Sequence, residues 1–181
     1  VFTGAVTGTD ATIAGCAFAG DVWLSGGAIT GGVFSNENRD SGTVTCTETA
    51  ISGGQFRVIV TTSGPITGGN FFMFRYDTDY YGALTSSGTI SGGTFSLPVI
   101  NNGTITGVRF EIVIVYGDET CCLVNNGTIT GGTVFCRFEN HGTVADSACR
   151  TVTFDADGGS SVASQRVLCG QKAQMPETPE K

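Results

Sequence analysis

Lysine is absent from residues 1–150; the chain's two lysines are Lys172 and Lys181. No Lys–Asn isopeptide cross-link can therefore form in that stretch. Its cations are six arginines (Arg39, Arg57, Arg75, Arg109, Arg137 and Arg150) against twelve carboxylates, a net charge of −6. Charge of either sign is scarce, at 14% of 181 residues, and 9 Lys+Arg stand against 16 Asp+Glu. A nucleic-acid binder would be basic, so no nucleic-acid partner is expected. There is one histidine and no Cys-x-x-Cys pair, so a zinc set cannot be completed and no metal or other cofactor is expected. No apolar run reaches the roughly 18 residues that a membrane-crossing helix needs, so no membrane insertion is expected. Few ten-residue windows lack glycine and none has helical periodicity, which excludes a helical bundle. An apolar share of 40% is too high for a disordered tail.

What the chain has instead is glycine, 28 residues, and threonine, 26 residues, arranged in a repeat. The shared pattern is Thr-Ile-(Thr/Ser)-Gly-Gly-x-Phe. It recurs around Ile13, Ile29, Ile51, Ile66, Ile90, Ile105 and Ile129, at gaps of 16, 22, 15, 24, 15 and 24 residues. A second apolar anchor precedes several of these: Val44, Val60, Leu84, Val99 and Leu123. Between the anchors lie turns such as Ser86-Ser87-Gly88, Asn101-Asn102-Gly103 and Asn125-Asn126-Gly127. Asn-Gly tolerates positive φ, which predicts tight turns there.

In Thr-Ile-Thr, strand alternation sends the isoleucine to one face and both threonines to the other. A strand so short cannot bury its isoleucine alone. Stacking successive coils about 4.8 Å apart places Ile on Ile and Phe on Phe. Each coil then contacts only its neighbours. The Gly-Gly pair lets the backbone turn a corner where a Cβ would clash. The expected fold is all-β: a β-solenoid, parallel β-helix-like, of about seven short coils over residues 1–150. Protruding hairpin insertions and a small C-terminal β segment over 151–181 complete it. An antiparallel array of hairpins is the structural alternative.

Three insertions lengthen the coil just after the phenylalanine: Ser35 to Gly42, Phe72 to Gly82 and Glu111 to Thr120. Loops on a regular stack commonly carry recognition. The second holds Tyr76, Asp77, Asp79, Tyr80 and Tyr81. Aromatic rings that stack on sugar faces, beside carboxylates that accept hydroxyl protons, make these five the candidate ligand-binding residues. A glycan or a host surface protein is the expected partner. The bland alternative is that the insertions are hairpins that pair or pack on each other. An enzyme reading would pair Asp77 and Asp79 with Asp118 and Glu119 as acid and base, in a lyase or hydrolase of polysaccharides. No basic cluster for an acidic sugar accompanies them, and His141 has no nucleophile near it in sequence. The expectation is therefore no catalytic residues. Thr-x-Thr rows also suggest ice binding. Only Thr104/Thr106 and Thr128/Thr130 keep the pair, which favours the ordinary strand propensity of threonine.

Seven cysteines show no framework spacing; most read as small buried hydrophobes, and any disulfide pairing stays open. Composition shifts near Arg150. The stretch TVTFDADGGSSVASQRVLCGQKAQMPETPEK, residues 151–181, resembles the start of the Listeria–Bacteroides repeat, the internalin B-repeat. The chain stops before that family's aromatic Gly-Trp-Tyr strand, so 151–181 is expected as a partial module of that kind or as strands that cap the solenoid end. Residues 1–150 likewise resemble the GGTF and NNGTI repeats of large surface proteins of gut bacteria. The resemblance implies small β-grasp-like modules without catalytic residues and an extracellular place, on a bacterial cell surface or secreted. No signal peptide or sorting motif is visible and the chain starts mid-pattern, which reads as a segment of something longer. The expected role is a non-catalytic stalk or adhesin module, with self-association through the solenoid ends as a further contact.

Overall fold

A computed structural model describes residues 1–35, 42–76, 79–110, 114–115, 118–119 and 121–177. Segments 74–76, 79–81, 114–115, 118–119 and 121–122 enter through their backbone pairing. The chain winds as a three-sided parallel β-solenoid. The long face is an eight-stranded sheet running in order from Val6–Thr9 through Val22–Ser25, Thr43–Thr47, Ile59–Thr62, Ala83–Ser86, Val99–Asn101 and Cys121–Asn125 to Arg137–Asn140. The isoleucine face carries Ile13, Ile29, Ile51, Ile66, Ile90, Ile105 and Ile129 in parallel register, extended by Val144. The third face is the phenylalanine sheet. The described residues thus form eight rungs, one beyond the seven isoleucines, because Val144 takes the isoleucine position of the last one.

Alternation decides what is inside. Every isoleucine from Ile29 to Ile129 on this face is at most 1% exposed. Val22, Val44, Val60, Leu84, Val99 and Leu123 form a second buried row from the long face. Phe18, Phe34, Phe56, Phe71, Phe95 and Phe110 form the third. Starting from Phe2, successive ring centroids in this column lie 4.5–5.4 Å apart, with interplanar angles of 3–26°. Isolated aromatic pairs prefer offset or edge-on contacts. Here parallel strand spacing of about 4.8 Å holds the rings nearly parallel. The backbone sets the stack and the rings follow it.

One inward row is polar. Asn101 donates from Nδ2 to Oδ1 of Asn125 at 2.7 Å, and Asn125 does the same to Asn140 at 2.7 Å. Each asparagine also bonds the backbone of its own turn, so buried amides are satisfied along the axis. Ser86, next in the row, has a buried hydroxyl with no partner among the described residues.

The turn glycines work differently from the expectation of positive φ. Neither residue of Asn102-Gly103 or Asn126-Gly127 has positive φ. A Cβ on Gly103 would instead stand 2.0 Å from the carbonyl oxygen of Gly88 in the preceding coil. Parallel coils bring turn backbones into contact, and only a missing side chain permits it. Positive φ falls on the second glycine of the Gly-Gly corner, for example +105° at Gly93.

The C-terminal end is covered. Cys149–Val152 pairs antiparallel with Gln165–Leu168, so the composition shift at residue 150 falls within a strand. Ala148 and Leu168 join the solenoid core. The Val134 amide donates to the Cys169 carbonyl at 2.8 Å, and Gln171 donates from Nε2 to the carbonyls of Val134 and Cys136 at 2.6 and 2.9 Å. These bonds occupy backbone groups that an open last rung would leave as a sticky edge. Arg166 pairs with Asp146 beside them. At the other end Phe2 is 51% exposed.

Candidate functional site

The three insertions leave the solenoid at one corner, where the phenylalanine face passes to the long face. They follow Phe34, Phe71 and Phe110. Phe56 and Phe95 lie between these in the sheet order, so insertions occupy alternate rungs. Two rungs of parallel sheet separate neighbouring insertions by about 10 Å.

In the second insertion, Phe74–Tyr76 pairs antiparallel with Asp79–Tyr81. The register sets Tyr76 opposite Asp79, Arg75 opposite Tyr80 and Phe74 opposite Tyr81. The hairpin therefore brings Tyr76, Asp79, Tyr80 and Tyr81 onto one short ribbon. Asp77 lies outside the described residues, as does the first insertion over 36–41. In the third insertion Ile114 stands opposite Glu119 and Val115 opposite Asp118. Each hairpin is its own two-stranded sheet; the described backbone does not pair one with the other. At the roots of these segments, the Arg57 guanidinium sits 5.5 Å from the Phe72 ring centroid and Arg109 sits 4.4 Å from that of Phe135. Such cation–π contacts fix the neighbouring backbone at the corner.

Hydroxyls on the isoleucine face are partly committed. Thr30, Thr67, Ser91 and Thr130 turn their hydroxyls back toward the isoleucine carbonyl one rung away, at 3.2–3.5 Å. This column of the Thr-x-Thr array spends its donors on the solenoid itself. His141 is exposed and lies 2.7 Å from the Glu139 carboxylate. Among the described residues, no three His, Cys, Asp or Glu side chains gather as a metal site, and no helix is long and apolar enough to cross a membrane.

The long face holds a feature that the repeat pattern did not reveal. Trp23, the chain's single tryptophan, is 41% exposed on its outer side. Register places it between Thr7 and Thr45. A depression of about 440 Å³ surrounds it, lined also by Thr9, Ser25 and Thr47. The signal was present in the Val6, Val22, Val44 anchor row, which forces their successors Thr7, Trp23 and Thr45 outward.

The cysteines divide. Cys136 is disulfide-bonded, whereas Cys16, Cys46, Cys149 and Cys169 are free thiols. Cys16 is exposed and occupies the second corner-glycine position with φ of 75°. Cys46 is buried, and burial pushes its thiol from 9.0 up to about 11, partly offset by a hydrogen bond from Thr49. Folding thus favours the neutral thiol. That contribution is whole below pH 9 and is lost as pH rises from 9 through about 11. At pH 8 the thiolate fraction of Cys46 is lower by about a hundredfold, and alkylation needs the thiolate. Iodoacetamide at pH 8 should modify Cys16 in the native protein while Cys46 reacts only on unfolding, as peptide mass mapping would show. Equal rates at the two positions would contradict the burial of Cys46.

The chain matches no family model, and no curated protein or solved structure is significantly similar to it.

Proposed function

We propose that this chain is a non-catalytic, extracellular stalk or adhesin module that presents its insertions to a glycan or a host surface protein. The observation that carries the reading is the placement of the insertions. A stack of uniform rungs carries its three longer connections at one corner, at every second rung, which suits display along an edge. The tyrosine-rich hairpin of residues 74–76 and 79–81 is the proposed contact, together with Asp77. The disulfide at Cys136 supports an oxidising compartment, where such bonds persist. Resemblance of 151–181 to the internalin B-repeat supports a bacterial surface. Self-association through the solenoid ends belongs to the same reading, and the C-terminal hairpin occupies part of the last rung.

The test is a glycan array with the full chain. Joint replacement of Tyr76, Asp77, Asp79, Tyr80 and Tyr81 by alanine should abolish the array signal while the circular dichroism spectrum and melting temperature stay those of the parent. An array without a hit, together with turnover of an acidic polysaccharide, would replace this reading with that of a lyase or hydrolase.

A further inference from the structure

We infer that the depression around Trp23 is a second binding site, on the body of the solenoid, for a linear neutral glycan. The inference rests on the glycan-contacting reading above but uses none of the insertion residues.

Three observations converge there. The indole is held in place by its strand: its neighbours Val22 and Leu24 are 0% and 4% exposed, so the backbone at Trp23 is pinned to the core while the ring faces out. A fixed, half-exposed indole is a stacking platform for the apolar face of a pyranose ring. Next, the hydroxyls of Thr7, Thr9, Ser25, Thr45 and Thr47 line it, and among the described residues none of them makes a hydrogen bond. This contrasts with the isoleucine face, where Thr30, Thr67, Ser91 and Thr130 are committed to carbonyls. Free hydroxyls both donate and accept, as sugar hydroxyls do. A depression of about 440 Å³ is within the range of small-ligand sites.

The third observation is charge. Among the described residues the lining carries none, in a chain of net charge −7. Among the described residues, Asp10, Asp21 and Glu48 lie at the turns on either side of these strands. Asp21 is engaged, accepting from the amide and hydroxyl of Thr43 at 2.8 and 2.9 Å. The described lining holds no cation that could pair with a carboxylate or sulfate, and the chain as a whole is acidic, which leaves uncharged sugars as the fitting class. The shape suits a linear chain. The outward row continues from Trp23 through Thr45, Thr61 and Thr85 at one residue per rung. A polymer lying along the solenoid axis would stack one sugar on the indole and place its next units over successive threonines. A protruding indole interrupts the flatness that ordering a water lattice would need.

The experiment titrates the full chain with cellohexaose, mannohexaose and, as the acidic control, hexagalacturonate. With one tryptophan, emission excited at the red edge, where tyrosine does not absorb, reports this site alone. A saturable blue shift with a neutral hexasaccharide and none with hexagalacturonate is expected. Trp23→Ala should weaken calorimetric binding by about thirtyfold, as loss of an aromatic hot spot does, and Thr45→Val should weaken it less. Trp23→Ala should melt like the parent, since the ring lies outside the core. No saturable shift with either neutral sugar overturns the proposal, as does binding that survives Trp23→Ala. Thermal hysteresis, or an emission shift that follows protein concentration alone, assigns the face to ice or to a second copy and also overturns it. The fivefold insertion variant separates the two readings. Trp23-dependent binding that persists in that variant upholds this site even where the hairpin reading fails. Hairpin-dependent binding with silent Trp23 emission removes this site and leaves the hairpin.

Discussion

Replacing Phe71 by alanine should lower the unfolding free energy by about 3–5 kcal/mol, the range for large aromatic truncations in a packed core. Phe71 is 0% exposed and stands between Phe56 and Phe95, at ring-centroid distances of 4.5 and 5.0 Å. The cavity left behind cannot collapse along the stack. Asn70 and Phe71 are in parallel register with Gln55 and Phe56 on one side and with Thr94 and Phe95 on the other, so backbone bonds hold the rungs at their spacing. The missing ring therefore leaves both neighbours with an empty face, and their lost dispersion contacts add to the transfer cost. A nearest-neighbour architecture adds a second signature. Weakening a middle rung uncouples the two ends, so the denaturant transition should broaden and its m value fall. Phe2→Ala, at the half-exposed end of the same column, should cost about 1 kcal/mol or less. Urea melts of both variants decide the matter. Equal losses for Phe71 and Phe2 would mean that the column does not share its load as its stacking implies.

The core was legible in the repeat. Ile29 to Ile129 and Phe34 to Phe110 recur because a parallel stack needs the same side chain at each rung, and period alone finds them. The rows 7, 23, 45 and 9, 25, 47 were harder to see. They do not repeat as a motif, since Trp23 stands among threonines. Their outward direction follows only once Val6, Val22 and Val44 are recognised as anchors. Val144 escapes the pattern for a related reason: at the last rung the column meets the C-terminal hairpin, and the Gly-Gly-x-Phe sequel that marks the other copies is replaced by Asp146-Ser147-Ala148. The candidate hairpin was legible as an insertion rich in tyrosine. Its register, Tyr76 opposite Asp79, was not, because turn geometry rather than periodicity sets it. The state of Cys136 was unreadable because cysteine pairing depends on distances between coils, which no local spacing encodes.

Alanine at two glycines four residues apart should move stability in opposite directions. At Gly103 an added Cβ would lie 2.0 Å from the Gly88 carbonyl oxygen and 2.5 Å from that of Ser87. Both obstacles are backbone, and both belong to a turn held by the next rung. The Asn102 amide donates to the Ser86 carbonyl, and the Thr104 amide to that of Gly88, at 2.7 and 3.1 Å. Nothing there can rotate aside, so the coils must separate, and a cost of about 3 kcal/mol is expected for such overpacking. At Gly107 no atom lies within 4 Å of the added Cβ, and φ is not positive. There alanine fits without strain and only reduces the freedom of the unfolded chain, a gain of about 0.5 kcal/mol. Chemical denaturation of Gly103→Ala and Gly107→Ala measures the pair within one coil. Losses of similar size at both would show that glycine serves chain flexibility here, and that close coil contact is not the constraint. A destabilised Gly103→Ala beside a stabilised Gly107→Ala ties the rung spacing to the turn column. The same spacing sets the interval between the corner hairpins and the one-residue-per-rung row that runs from Trp23 to Thr85.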